Sequence, residues 1–124
     1  MVSVLEHWAA SPGVKDDPAA QADLGKITAR HWAFHGMSLA VARMVDEGKS
    51  PVTEAALIKE MATRFEQDCV EMAARHYGRA PDLTSDDPYE SLLARAILVS
   101  PSWSIRGGTT EILRTVISKG LARE

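Results

Sequence analysis

Proline starts or ends helices far more readily than it sits inside them, so the placing of the six prolines limits what this chain can fold into. None occurs between Pro18 and Pro51, or between Pro51 and Pro81. Asp17-Pro18 sets a capping carboxylate before a residue suited to the first helical position. From there Leu24, Ile27, His31, Phe34, Ser38, Val41 and Val45 recur at steps of three and four. The spacing predicts a helix over about 18–47, stopped by Gly48. Trp32, Met37, Ala40 and Met44 make a second apolar face, and a helix apolar on two sides belongs inside a bundle or at a subunit contact.

After the Gly48-Lys49-Ser50-Pro51 break, Thr53 is expected to cap a second helix over 54–77. Its buried stripe is Leu57, Ile58, Met61, Ala62, Phe65, Cys69, Met72 and Ala73, and Gly78 ends it. Arg75, His76 and Arg79 stand where cations favour a helix C-terminus. Asp87-Pro88-Tyr89-Glu90 reads as a capping box opening a shorter helix over 88–100, broken by Pro101. A last helix over 109–122 follows Gly107-Gly108 and carries Ile112, Leu113, Val116, Ile117 and Leu121 at helical spacing. No useful length alternates with period two; Ala96-Ile97-Leu98-Val99 is the best strand candidate, and its capped lead favours helix. The expected fold is all-α: an antiparallel, up-down four-helix bundle with a short extra segment at 2–10, one domain over 1–124.

With 124 residues, 45% of them apolar, the chain can fill one core. A net charge of −3 gives no electrostatic reason to bind nucleic acid. No segment is apolar for long enough to cross a bilayer, and the start lacks the basic region of a signal peptide, so no membrane association and a cytoplasmic location are expected. Cys69 is alone, which excludes an intrachain disulfide and a cysteine-rich zinc site.

Helical bundles can hold two iron or manganese ions through Glu-x-x-His pairs. The residues three before His7, His31, His35 and His76 are Val4, Thr28, Trp32 and Ala73, so no di-metal site is expected. His31 and His35, at i and i+4, could share one zinc but lack a third ligand; a packed or interfacial pair is the expectation. Cys69 sits in an apolar stripe without an activating partner and reads as a structural thiol. Trp8, Trp32 and Trp103 read as core or contact residues, and Asp86 and Asp87 as turn and cap.

The sharper feature is Ser104-Ile105-Arg106-Gly107-Gly108-Thr109-Thr110-Glu111-Ile112-Leu113-Arg114. Two glycines let the backbone bend and approach a ligand closely. Thr109 then offers a hydroxyl where a new helix presents unpaired N–H groups, an arrangement able to hold a phosphate. A plain turn with a threonine cap satisfies the same residues equally well.

IRGGTTEILRTVISKGL resembles the C-terminal signature of flavin-dependent acyl-CoA dehydrogenases, where a Gly-Thr-x-x-Ile step opens the final helix. DDPAAQADLGKI and then GKSPVTEAALIKEMATRFEQDCVEMAARHYG are similar in order and spacing to the preceding helices of that family, so the resemblance spans nearly the whole chain. It implies the C-terminal bundle of a longer enzyme whose N-terminal helical domain and central β domain would be supplied elsewhere. It further implies FAD as cofactor, an acyl-CoA substrate, and bundles packed together as a homo-oligomer, a dimer or tetramer. Carried over by position, Thr109 and Glu111 would contact FAD, Gly107 and Gly108 would shape the turn beside it, and Arg114 would be structural.

Many members carry a catalytic glutamate just before the Gly-Thr, and Gly107 stands there instead, as in a Gly-Gly-Thr branch. No catalytic residue is therefore assigned to this chain, and alone it is expected not to oxidise acyl-CoA. The family's Arg-x-x-Phe-Gly element is missing and its second glycine-rich turn is reduced to Gly78. The alternative is a non-enzymatic helical oligomerisation module, motivated by Trp32, Met37 and Met44 needing cover; flavin binding separates the two.

Overall fold

A computed structural model describes residues 2–122. Among these residues there is no strand. The elements are α1 (Val2–Ala10), the single turn α2 (Pro12–Lys15), α3 (Pro18–Asp46), α4 (Val52–Tyr77), α5 (Pro88–Val99), a 3-10 turn (Ser100–Ile105) and α6 (Thr110–Leu121). Local chemistry sets most of the boundaries. Asp17 accepts the Ala19 N–H at 2.9 Å ahead of α3, and Asp87 accepts the Tyr89 N–H at 3.0 Å ahead of α5. Gly48 and Gly78 adopt positive φ (76° and 77°) as α3 and α4 end.

Two local expectations are corrected. Helix α4 begins at Val52 with Pro51 in the cap position, so Thr53 lies inside it and packs against Gly120 of α6 instead of capping. Asp87 forms only half of a capping box. Glu90 turns instead toward the preceding loop, where it accepts from the Asp82 N–H (3.1 Å) and Ser85 Oγ (2.8 Å) and pairs with Arg79 (2.6 Å).

Helix α4 is the axis of the bundle, and α3, α5 and α6 run antiparallel to it. Along α3, Asp23 meets His76 (3.0 Å), Arg30 meets Asp68 (2.9 Å), and Phe34 lies 5.2 Å from Phe65 between ring centroids. On another side α5 and α6 follow one after the other along α4. Tyr89 packs on Tyr77, Gln67 Nε2 donates to Ser100 O at 2.9 Å, Arg114 reaches Glu60 at 3.2 Å, and Gly120 ends against Thr53. Helix α1 rests on α5 and α4.

The buried cluster gathers where α1, α3, α4 and α5 meet, around Trp8, Ile27, Phe65, Cys69, Val70 and Leu93. Helix α6 has no fully buried residue. The inward stripe of α3 is Ile27, Arg30, Phe34, Met37, Val41 and Met44, all buried or half-buried, whereas His31, Ser38 and Val45 are exposed. Met37 and Met44 thus belong to the covered face. The uncovered one carries Trp32 and Leu39, 67% and 45% exposed.

The Glu90 contacts give a pH prediction. The Asp82 N–H first, then Ser85 and Arg79, hold its carboxyl at about 2 against an ordinary 4.5. A depressed carboxyl contributes stability above its unfolded value, and that contribution disappears as pH falls from about 4.5 toward 2. Glu90→Gln should flatten this part of the acid-unfolding curve followed by helical circular dichroism. Superimposable acid curves for parent and variant would contradict the assignment.

Candidate functional site: the glycine corner before the last helix

The corner between the 3-10 turn and α6 forms because Gly107 (φ 66°) and Gly108 (φ 108°) both take the left-handed conformations that other residues avoid. At Gly107 it is the backbone angle, not crowding, that demands glycine: an added Cβ would meet only Lys59 Cε, at 3.7 Å. Gly108 is closer packed, its Cβ position lying 3.4 Å from Leu113 Cδ2. Thr109 caps α6, with Oγ1 accepting the Ile112 N–H at 3.4 Å. Glu111 is held below the ordinary carboxylate range by its own backbone N–H and the Thr109 hydroxyl.

The N–H groups of Gly107, Thr109 and Thr110 find no acceptor among the described residues, while that of Gly108 closes the turn at Arg106 and Gly107. Gly107 is exposed and the next three residues are half-buried, so the donors stand at the surface and not in hydrocarbon. Gly107 also lines a groove of about 390 Å³ with Lys59, Ala62, Thr63, Glu66 and Arg106. Lys59 Nζ donates to Thr63 Oγ1 at 2.7 Å; Arg106 pairs with Glu66 at 3.3 Å and lies over the Trp103 ring. Two cations against one carboxylate leave the groove net positive. A broader groove of about 670 Å³ reaches from Ser104 and Thr110 to the apolar floor of Phe34, Met37 and Met61.

Gly107, Gly108, Thr109 and Glu111 therefore come together at one open corner. Arg114 stands apart from it, sharing Glu60 with Arg64 as a strut between α6 and α4. Lys59, Glu66 and Arg106 were not singled out by sequence reasoning. Lys59, Thr63 and Glu66 do repeat at i, i+4 and i+7, which marks one face of α4, but nothing local says that this face meets the glycine turn.

The other candidates fall elsewhere. His31 and His35 are exposed on α3, and no cluster of three metal-binding side chains occurs among the described residues. Burial pushes the Cys69 thiol up to about 12, which keeps it protonated and unreactive. Trp8 is core, Trp103 is half-buried beneath Arg106, and Trp32 is exposed. Among the described residues no helix is long and apolar enough to cross a membrane.

The class that the fold defines is the all-helical bundle. The family model for the acyl-CoA dehydrogenase C-terminal domain matches residues 8–122, and the chain belongs to that family. No match to a curated protein or to a solved structure was found.

Proposed function

We propose that this chain, as one domain over 1–124, is the C-terminal part of a flavin-dependent acyl-CoA dehydrogenase-like oxidoreductase acting on an acyl-CoA thioester. The observation that carries the reading is the cluster of unpartnered N–H groups at Gly107, Thr109 and Thr110, set beside Lys59 and Arg106. Free amide donors at a helix start favour an anion, and two neighbouring cations add to the same field. A phosphate of FAD fits that chemistry. Gly107, Thr109 and Thr110 would hold it through the main chain, with Gly108 shaping the turn and Glu111 fixing the Thr109 hydroxyl from inside it.

FAD, when bound, supplies the hydride acceptor. The proton alpha to the thioester must go to a carboxylate within hydrogen-bond reach. Position 107 has no side chain to take it. Glu111 is a poor base because its carboxyl is held low, and Glu66 is engaged by Arg106. The base and the rest of the flavin pocket are accordingly assigned to other domains or to a partner subunit that carries them.

Surface area supports association as well. The chain exposes 7832 Å², where a compact monomer of its mass exposes about 6,500 Å². The excess is larger than the roughly 800 Å² that one side of a standard subunit interface buries, and exposed Trp32, Leu39 and Val45 are suited to such a contact. The same surface favours the second reading, a helical association module that binds no flavin.

Two measurements test the proposal. The purified chain alone should not reduce an electron acceptor with acyl-CoA, and turnover by it would refute the assignment of the base elsewhere. Mixed with a polypeptide bearing the missing domains, it should raise the flavin retained after gel filtration. Thr109→Ala, which removes the hydroxyl and the cap, should lower that retention about tenfold. Oligomers that never retain flavin with any such partner would leave the association module as the function.

A further inference from the structure

Helix α3 keeps one face that no other helix of the described chain covers. Its inward positions meet α4 at Asp23, Arg30 and Phe34, and Leu24, Ile27 and His31 share a groove with α1. Away from both, Ala22, Gly25, Ala29, Trp32, Gly36 and Leu39 follow one another at alternating steps of three and four, and all six are exposed. That is an unbroken a/d seam, the pattern by which two helices pack along each other, roughly 26 Å long. An ordinary solvated face would carry charges at such positions.

The fold supplies no internal reason for two of these residues. Gly25 and Gly36 lie inside α3 without positive φ, and a Cβ on either would meet nothing within 4 Å. Alanine serves a helix interior better than glycine, so their small size is of use only to a backbone arriving from outside. Trp32 leans only on the exposed ring of His35, and Leu39 stands open beside it.

The sizes along the seam point to what covers it. In a two-fold antiparallel pair that sets Gly25 against Gly36 of a second copy, Ala22 faces Leu39 and Ala29 faces Trp32, so each large side chain meets a small one. A parallel pair would instead set Trp32 on Trp32 and glycine on glycine. Charge agrees at both ends. The same register brings Arg43 and Asp46, at the end of α3, opposite Lys15 and Asp16 of the other copy, giving the arginine an aspartate and the aspartate a lysine. None of these four forms an ion pair among the described residues. Gln21 Nε2, donating to Lys15 O at 2.6 Å, holds Lys15 beside the first turn of α3.

We propose that α3 is a self-recognition face, along which two copies pair antiparallel with Trp32 and Leu39 seated on the other copy's Ala29 and Ala22. The inference rests on the association put forward above and is independent of the flavin reading.

Sedimentation equilibrium of the full chain at high micromolar concentration should show a dimer. Trp32→Glu should weaken it at least about tenfold, with helical circular dichroism unchanged because Trp32 is exposed. Asp46→Lys should weaken it about threefold, and adding Lys15→Asp should restore the parent affinity. Those two residues stand at opposite ends of α3, roughly 43 Å apart along its 29 residues, so restoration can arise only between copies. A monomeric parent would overturn the pairing together with the association reading. Oligomers that survive Trp32→Glu, a charge swap without recovery, or a face used only by a polypeptide bearing the missing domains would leave association standing and overturn this pairing.

Discussion

Replacing Leu93 by alanine lowers the unfolding free energy by about 2–5 kcal/mol. Leu93 is wholly buried on α5, inside the cluster that also holds Trp8, Phe65, Cys69 and Val70. The lost side chain leaves a cavity lined by four helices that cannot all collapse into it, so the cavity term adds to the lost transfer energy. Leu98, on the same helix but 67% exposed, is the control: its replacement by alanine should change stability by less than about 0.5 kcal/mol. Urea unfolding of both variants decides the matter. Equal losses at the two sites would mean that the core does not lie where α1, α3, α4 and α5 converge.

Placing a methyl at Gly120 should cost about 1–3 kcal/mol through overpacking. An added Cβ there collides with Thr53 Oγ1 and comes within 2.6 Å of its Cγ2 and 2.8 Å of its Cβ. The first two atoms can rotate away, but the third is fixed to the α4 backbone, so the helices themselves must separate. Combining Gly120→Ala with Thr53→Gly should recover most of the loss, giving a coupling energy of about 1 kcal/mol or more in a double-mutant cycle. Additive effects would show that α6 does not approach α4 through these two residues.

That close approach shows where sequence reasoning reaches its limit. Thr53 looks like a helix cap, since a threonine shortly after a proline has the right chemistry for one. Its actual role is decided by Gly120, sixty-seven residues away, and no local signal links the two. Glu90 makes the same point. Its position three residues after Asp87 fits a capping box, but Arg79, Ser85 and the Asp82 N–H together make a stronger set of partners in the folded loop. On α3 the expected stripe of Leu24, Ile27, His31, Phe34, Ser38, Val41 and Val45 divides: Leu24, Ile27, Phe34 and Val41 are covered, whereas His31, Ser38 and Val45 are exposed and Arg30, Met37 and Met44 take the covered positions beside them. His31, Ser38 and Val45 fit a three-and-four spacing as well as Arg30, Met37 and Met44 do, and a two-faced helix cannot indicate from its own sequence which face α4 will cover.

What the sequence by itself determined is local and periodic: the all-helical class, helix limits to within a residue or two, the Asp17 and Asp87 caps and the glycine stops at 48 and 78. These follow from interactions within a few residues, which any chain carries in its own pattern. The tertiary structure alone decided that Lys59 and Arg106 flank the glycine corner, that α5 and α6 share α4 in succession, and that Trp8, His76 and Tyr89 wall a common cavity. Those juxtapositions join residues tens of positions apart, and only the burial of apolar area between whole helices selects them.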